Sequence, residues 1–184
     1  DVPLAVINTS VFQRLRGIRQ LSFCDWYFPG ANHTRFEHSL GVFGIARTAI
    51  ENLVHDRVFR DSFTHKQVRA LMLAALIHDV GHYPFAHVLE QYAASRLPND
   101  RRAKEAVSHQ KHTVTLLECD TELSSTITRH WGEDTLQDAI KIVEGQAGVL
   151  SQLVDGPIDV DKMDYLPRDA VHCGVTFGIG LEDA

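Results

Sequence analysis

An all-α fold is what the sequence predicts, and three observations predict it. Apolar residues recur every three or four positions through most of the chain, and helix-start and helix-stop residues bracket those stretches. No segment alternates apolar and polar side chains with the period of a strand. A length of 184 residues suits one domain with a sizeable core, so residues 1–184 are read as a single domain. The chain opens on Asp1 and ends after a glycine-rich stretch (Gly174, Gly178, Gly180), so it is expected to be part of something longer.

The first clear helix follows Thr34. Phe36, Leu40, Phe43, Arg47, Ile50 and Val54 recur at helical spacing, and Val42, Ile45, Ala46 and Ala49 widen the apolar stripe. Thr34 with Glu37 three residues on has the form of a capping box, which places His38 near the first turn. A second helix is expected from Thr64 to Val80, apolar almost all round and stopped by Gly81. A third is expected over Pro84 to Arg96. Ser95 to Lys104, with Pro98, Asn99, Asp100, Arg101 and Arg102, reads as a polar loop and a candidate lid. Helices are then expected over Ala106 to Cys119, Thr121 to Trp131 and Leu136 to Glu144, and from Pro157, which suits a first helical position.

Composition excludes several classes of function. With 44% hydrophobic and 23% charged residues, and no apolar run of bilayer length, the chain is read as soluble. The net charge of −6 offers no global basic field, so there is no strong nucleic-acid signal and no membrane signal. Cys24, Cys119 and Cys173 are odd in number and far apart, which argues against a disulfide framework and fits a cytoplasmic location. Histidine is in excess, at 11 residues, and points to metal or proton chemistry.

Four polar residues fall where apolar helices should not tolerate them unpaired: His38, His78, Asp79 and Asp161. A buried carboxylate costs several kcal/mol unless it is paired or bound to a cation. Successive helix residues point about 100° apart, so His78 and Asp79 can share one ion only near the helix end, where Gly81 stands. Two imidazoles and two carboxylates suit Mn, Fe, Co, Ni or Zn, and Mg less well. Taken alone, the His78-Asp79 pair leaves open a histidine that merely satisfies a core carboxylate.

The surrounding residues carry a family resemblance. His78-Asp79-Val80-Gly81-His82-Tyr83-Pro84-Phe85-Ala86-His87 resembles the signature of the HD-domain phosphohydrolase superfamily. The block from Phe28-Pro29-Gly30 through Arg35-Phe36-Glu37-His38 to Val42 is similar to the one that supplies that family's first metal histidine. Ile158-Asp159-Val160-Asp161-Lys162-Met163-Asp164-Tyr165 is similar to the one that supplies its last metal aspartate. With Phe12-Gln13-Arg14-Leu15-Arg16 and Gln20-Leu21, the pattern is similar to one branch, the deoxynucleoside triphosphate triphosphohydrolases, over about residues 8–178.

The resemblance implies an HD-domain helical bundle with one divalent metal ion in its core, held by His38, His78, Asp79 and Asp161. It implies hydrolysis of a dNTP to deoxynucleoside and triphosphate. Gln20, Leu21, Arg35, Lys162, Tyr165 and Asp169 would bind substrate, with His82, His87, His109 and Glu90 as the catalytic group. Asp161, Tyr165 and Asp169 share one helical face, which supports that division. His87 is the first choice for the acid that protonates the departing sugar oxygen, with Glu90 orienting an imidazole. A nucleotide activator at Asn8, Gln13 and Arg16 and a homo-oligomer also follow from the resemblance. The alternatives are a phosphohydrolase acting on a monophosphate, cyclic nucleotide or alarmone, and a regulatory module that keeps the metal without turnover.

The pattern departs from the family at three places. Gln110 follows His109 where a glutamate is common, so an orienting carboxylate is missing there. Asn8 stands where the nucleotide-activated members carry aspartate, which weakens recognition of guanine. Pro167 removes the amide that would bond Met163, so a kink or stop is expected between Tyr165 and Arg168. Asp164 and Glu37 are read as salt-bridge or capping groups, and His33 and His172 as structural or solvated.

Overall fold

The computed structural model describes residues 2–176, and Gly178 and Gly180 lie outside the described residues. Twelve α-helices are formed among the described residues, with two short 3₁₀ turns and no strand. They are α1 (Val2–Ile7), α2 (Ser10–Gln13), α3 (Arg35–Leu53), α4 (Arg57–Ser62), α5 (His65–Ile77) and α6 (Ala86–Arg96), followed by α7 (Arg101–Val107), α8 (His109–Cys119), α9 (Thr121–Trp131), α10 (Glu133–Val143), α11 (Val149–Val154) and α12 (Val160–Cys173).

The fold is organised around α5. Ala70, Leu71 and the run Leu73 to Ile77 are all buried, so this helix is covered on every side at its C-terminal end. It packs between α10 and α3, and α12 lies against α3. Full burial of Leu73, Leu76 and Ile77 is worth about 1.5–3 kcal/mol each, and this apolar surround offsets the cost of the charged groups where α5 ends.

Most elements fall where the sequence places them, with local differences of clear physical origin. Helix α5 stops at Ile77, and His78 to Gly81 form a turn, so His78 and Asp79 leave the helix rather than continuing it. Gly81 brings that turn against α8: its N–H donates to Thr113 Oγ1 at 3.0 Å, and a Cβ here would overlap the backbone of Thr113 and His109. The full capping box belongs to Thr64 and Gln67 at the start of α5. At α3 the Glu37 amide donates to the Thr34 hydroxyl, which in turn donates to the Glu37 carboxylate, so the Thr34 amide goes unserved by Glu37.

The expected loop over residues 95–104 is shorter than predicted. The Asp100 side chain accepts from the Ala103 amide at 2.9 Å and starts α7, leaving only a brief connection after Arg96. The expected break at Pro167 does not occur, and α12 runs through to Cys173. Pro167 and Met163 are exposed, so the carbonyl that loses its amide partner can be hydrated, while the ion pair of Arg168 with Asp164 holds the helix across the proline. The short helices α1, α2, α4 and α11 carry too few periodic residues to stand out in the sequence. No described helix is long and apolar enough to cross a membrane. All three cysteines are free.

Candidate functional site

The first turn of α3, the turn after α5 and the first turn of α12 meet at one point. Asp159 caps α12, accepting from the Lys162 amide at 2.6 Å, and so sets the direction in which Asp161 leaves the helix. His38, His78 and Asp161 present ligand atoms that all lie within 4.8 Å of one another. The Asp79 carboxylate lies 3.6 Å from His38 Nε2 and 3.5 Å from His78 Nε2. Side chains 126 residues apart are thereby packed together, as in His38 Nδ1 to Asp164 Oδ2 at 2.8 Å.

The hydrogen bonds set the tautomers. His38 gives its Nδ1 proton to Asp164, and His78 gives its own to the Ala75 carbonyl at 3.0 Å. Both rings therefore turn an Nε2 lone pair toward the carboxylates. His38 Nε2 is only 2.9 Å from Asp161 Oδ1, and His78 Nε2 is buried with no hydrogen-bond partner. A lone pair facing an anion requires a proton or a metal cation between them. This donor set fits a divalent ion: two neutral imidazole nitrogens, two carboxylates, and one histidine backed by a carboxylate.

Electrostatics agree with a cation-seeking centre. Burial alone would lower the His38 pKa, but hydrogen bonds to Asp161 and Asp164 and the charge of Asp79 raise it to about 9. His78 is likewise raised, against its burial, by Asp79 and Asp161. Burial would raise the Asp161 carboxyl, yet His38 and His78 hold it below the usual range. Asp79 is held well below that range, against burial, by His82, Arg35 and His78. His82 itself is pushed down to about 4, chiefly by burial, so at pH 7 it gives Asp79 an N–H at 3.1 Å. A permanent charge opposite Asp79 comes from Arg35, whose Nη1 lies 2.6 Å from Asp79 Oδ2.

A second histidine cluster adjoins this centre. His82 stacks on His109 at 4.0 Å, and His87 meets both rings edge-on, at 4.9 and 5.0 Å. Glu90 binds two of the three: one oxygen takes His87 Nδ1 at 3.0 Å, and the other takes His109 Nδ1 at 2.6 Å and the His109 amide at 2.8 Å. Glu90 thus supplies the carboxylate that Gln110 cannot, and Gln110 turns instead to Asp155 at 3.3 Å. Burial would raise the Glu90 carboxyl, but the His109 amide and ring lower it.

Two cavities open beside the centre. One of about 330 Å³ is lined by Gln20, Leu21, Arg35, Tyr165 and Asp169 together with Asp79, Asp161 and the three histidines. The other, about 230 Å³, has His78, Asp79, His87, His109, Gln110, Asp155 and Asp161 in its wall, with Ile142, Val143 and Val154. Of the residues expected to bind substrate, only Lys162 is absent from both walls. Its ammonium donates to Asp159 at 2.6 Å and to the Gly156 carbonyl at 2.8 Å, so local pairing takes it away from the cavities. Asn8, Gln13 and Arg16 also lie outside both walls. Asn8 is exposed, Gln13 donates to the Ile7 carbonyl and accepts from Arg16 at 2.7 Å, and the Arg16 guanidinium covers the Phe36 ring.

Three supporting residues escape sequence reasoning. Asp164 is the salt-bridge group expected, to Arg168, but it also orients His38. Its place one turn after Asp161 is the only sequence cue. Arg14 donates to the carbonyls of Val80 and His82 at 2.6 and 2.7 Å and pins the turn that carries Asp79. His33 is buried against Asp169. Nothing local to the sequence marks these last two contacts, because their partners lie 66 to 136 residues away.

Comparison with known proteins places these features in context. A family model described as "HD domain" matches residues 35–169. A putative HD domain-containing protein of Acanthamoeba polyphaga mimivirus is 32% identical over 92% of this chain and 39% of its own length. The deoxynucleoside triphosphate triphosphohydrolase SAMHD1 of Danio rerio is 32% identical over 94% of this chain and 31% of its own length. A crystal structure of a phosphohydrolase from Bacteroides thetaiotaomicron superposes with a TM-score of 0.74 at 33% identity, covering 95% of this chain and 39% of that one. The chain spans about two fifths or less of the length of these relatives.

Proposed function

The chain belongs to the HD-domain family, and from that premise we propose that it hydrolyses deoxynucleoside triphosphates to deoxynucleoside and inorganic triphosphate. One divalent ion would be held by His38, His78, Asp79 and Asp161, with Mn, Fe, Co, Ni, Zn and Mg as the candidates. The observation that carries the reading is the buried His78 Nε2, which has no partner and lies 3.7 Å from Asp161 Oδ1 in the wall shared with the smaller cavity. When bound, the ion supplies Lewis-acid chemistry, polarising a phosphate oxygen and acidifying a water.

The chain's own residues would divide the remaining work. Arg35 gives one nitrogen to Asp79, and its other N–H groups serve as donors for phosphate oxygens at the wall of the larger cavity. His82, neutral at pH 7, acts as an N–H donor that fixes Asp79. Glu90 fixes His87 through Nδ1, leaving Nε2 to deliver the proton to the sugar oxygen as it departs. His109, fixed by the same carboxylate, stabilises charge that develops on phosphate. Gln20, Leu21, Tyr165 and Asp169 form the sugar side.

The name of the Danio rerio relative supports the dNTP substrate. We also assign residues 1–184 to one catalytic domain, with a nucleotide activator at Asn8, Gln13 and Arg16 and a homo-oligomer as the assembly. One observation favours a second reading, a metal-retaining module without turnover: the relatives extend well beyond the matched region. Product analysis of the metal-loaded protein with a dNTP decides among these. Intact inorganic triphosphate is the expected product. Orthophosphate or pyrophosphate would move the chain to another phosphohydrolase chemistry, and bound metal with no product would favour the module.

A further inference from the structure

We infer that His33 is a positioning residue that builds the sugar-binding wall of the larger cavity, an inference that rests on the proposed nucleotide hydrolysis. His33 is 2% exposed and lies in the extended segment that leads into α3. Its main chain and its side chain hold two different residues of one wall. The His33 carbonyl accepts from the Gln20 amide at 3.0 Å, beside the isolated bridge of Arg19 with Thr34. The imidazole Nε2 lies 2.7 Å from Asp169 Oδ1, across 136 residues of sequence.

The hydrogen-bond inventory of this wall defines what it can accept. His33 Nδ1 is buried without a partner, so the ring proton sits on Nε2 and is donated to Asp169. The ring is clamped in that direction by stacking on His172 at 4.2 Å, and His172 Nδ1 is itself 3.2 Å from the Gly30 carbonyl. One Asp169 oxygen is thereby satisfied, while the other has no protein donor among the described residues. Gln20 Oε1 is also buried without a donor. Two acceptors on one cavity wall suit a ligand that brings O–H or N–H donors, and the Asp169 charge repels phosphate. The wall suits a sugar hydroxyl: the His33 imidazole aims the Asp169 carboxylate at it, and the His33 carbonyl ties down the Gln20 main chain beside it.

The test compares His33→Leu, which removes the donor, with His33→Gln, whose amide nitrogen can reach Asp169. Each is assayed with a dNTP and with its 2′,3′-dideoxy analogue, which lacks the sugar hydroxyl. The leucine variant should raise KM for the dNTP about tenfold with little change in kcat, leave the analogue unaffected, and be largely rescued in the glutamine variant. Equal losses on both substrates, or no rescue, would overturn the inference. If the leucine variant does not fold, His33→Asn, too short to reach Asp169, serves the same comparison. If the unaltered protein turns over neither nucleotide, the proposed function fails, and crystal structures of the variants decide the role of His33. Asp169 holding its place in the leucine variant would then overturn it, and its displacement would support it.

Discussion

Replacing Asp164 with asparagine separates orientation of the candidate metal ligand His38 from simple ion pairing. Asp164 is 5% exposed and accepts three hydrogen bonds: His38 Nδ1 at 2.8 Å, Arg168 Nε at 2.8 Å and Arg168 Nη2 at 2.7 Å. The pair fits tightly under α3, where a Cβ on Gly41 would overlap the carboxylate. An asparagine amide has one acceptor oxygen, so its NH₂ must face either the His38 proton or the guanidinium, donor against donor. Charge-assisted bonds are worth about 1.5–3 kcal/mol each, and Arg168 can recover part of its loss by hydration, so stability should fall by about 2–3 kcal/mol. The effect on the centre is separate: loss of a carboxylate behind a ligating histidine typically weakens metal binding about 10–100-fold. Calorimetric titration of the chelator-stripped protein with Mn²⁺ reads the affinity, and urea unfolding reads the stability. Arg168→Met is the control, since it leaves the Asp164–His38 bond in place and should lower stability while sparing affinity. Metal affinity within twofold of the unaltered protein in Asp164→Asn would refute the orienting role and reduce Asp164 to a partner of Arg168.

Glu90→Gln should keep the metal, because Glu90 touches none of the four candidate ligands, yet lower kcat by about 10²-fold as His87 and His109 lose their shared carboxylate; metal content and steady-state kinetics on one preparation check both halves. Gly81→Ala should destabilise the fold by about 1–3 kcal/mol, seen in the urea midpoint, because the added methyl group meets the backbone of α8. In the chelator-stripped protein His82 gives stability a pH dependence on the acid side. Its folded pKa of about 4 lies below the ordinary 6.5, so the unfolded chain takes up the proton first and stability falls as pH drops from 6.5 toward 4. The drop should reach about 3 kcal/mol, and urea unfolding of His82→Gln over the same range should lack that part of the slope.

Periodicity and capping residues made the long helices legible, because burial of an apolar stripe leaves a mark every three or four positions. This held for α3, α5 and α9, whereas α12 starts not at Pro157 but at Val160, where the Asp159 side chain caps the first turn. It failed where a short polar side chain overrode composition, as when Asp100 started α7, and where solvent exposure relieved the expected penalty at Pro167. The candidate ligands were legible in part because a carboxylate directly after the buried run ending at Ile77 demands a partner. Motif resemblance supplied the remaining positions.

The residue types of the centre and the long helices around it are legible in the chain alone, through local spacing, the cost of burying charge and motif resemblance. Which groups surround them is decided only in three dimensions. Asp164 behind His38, Arg14 on the carbonyls of Val80 and His82, and His33 on Asp169 all depend on how remote segments pack together. A hydrogen bond across more than sixty residues has no period and no local propensity. It exists because packing around α5 brings two remote side chains within about 3 Å of each other.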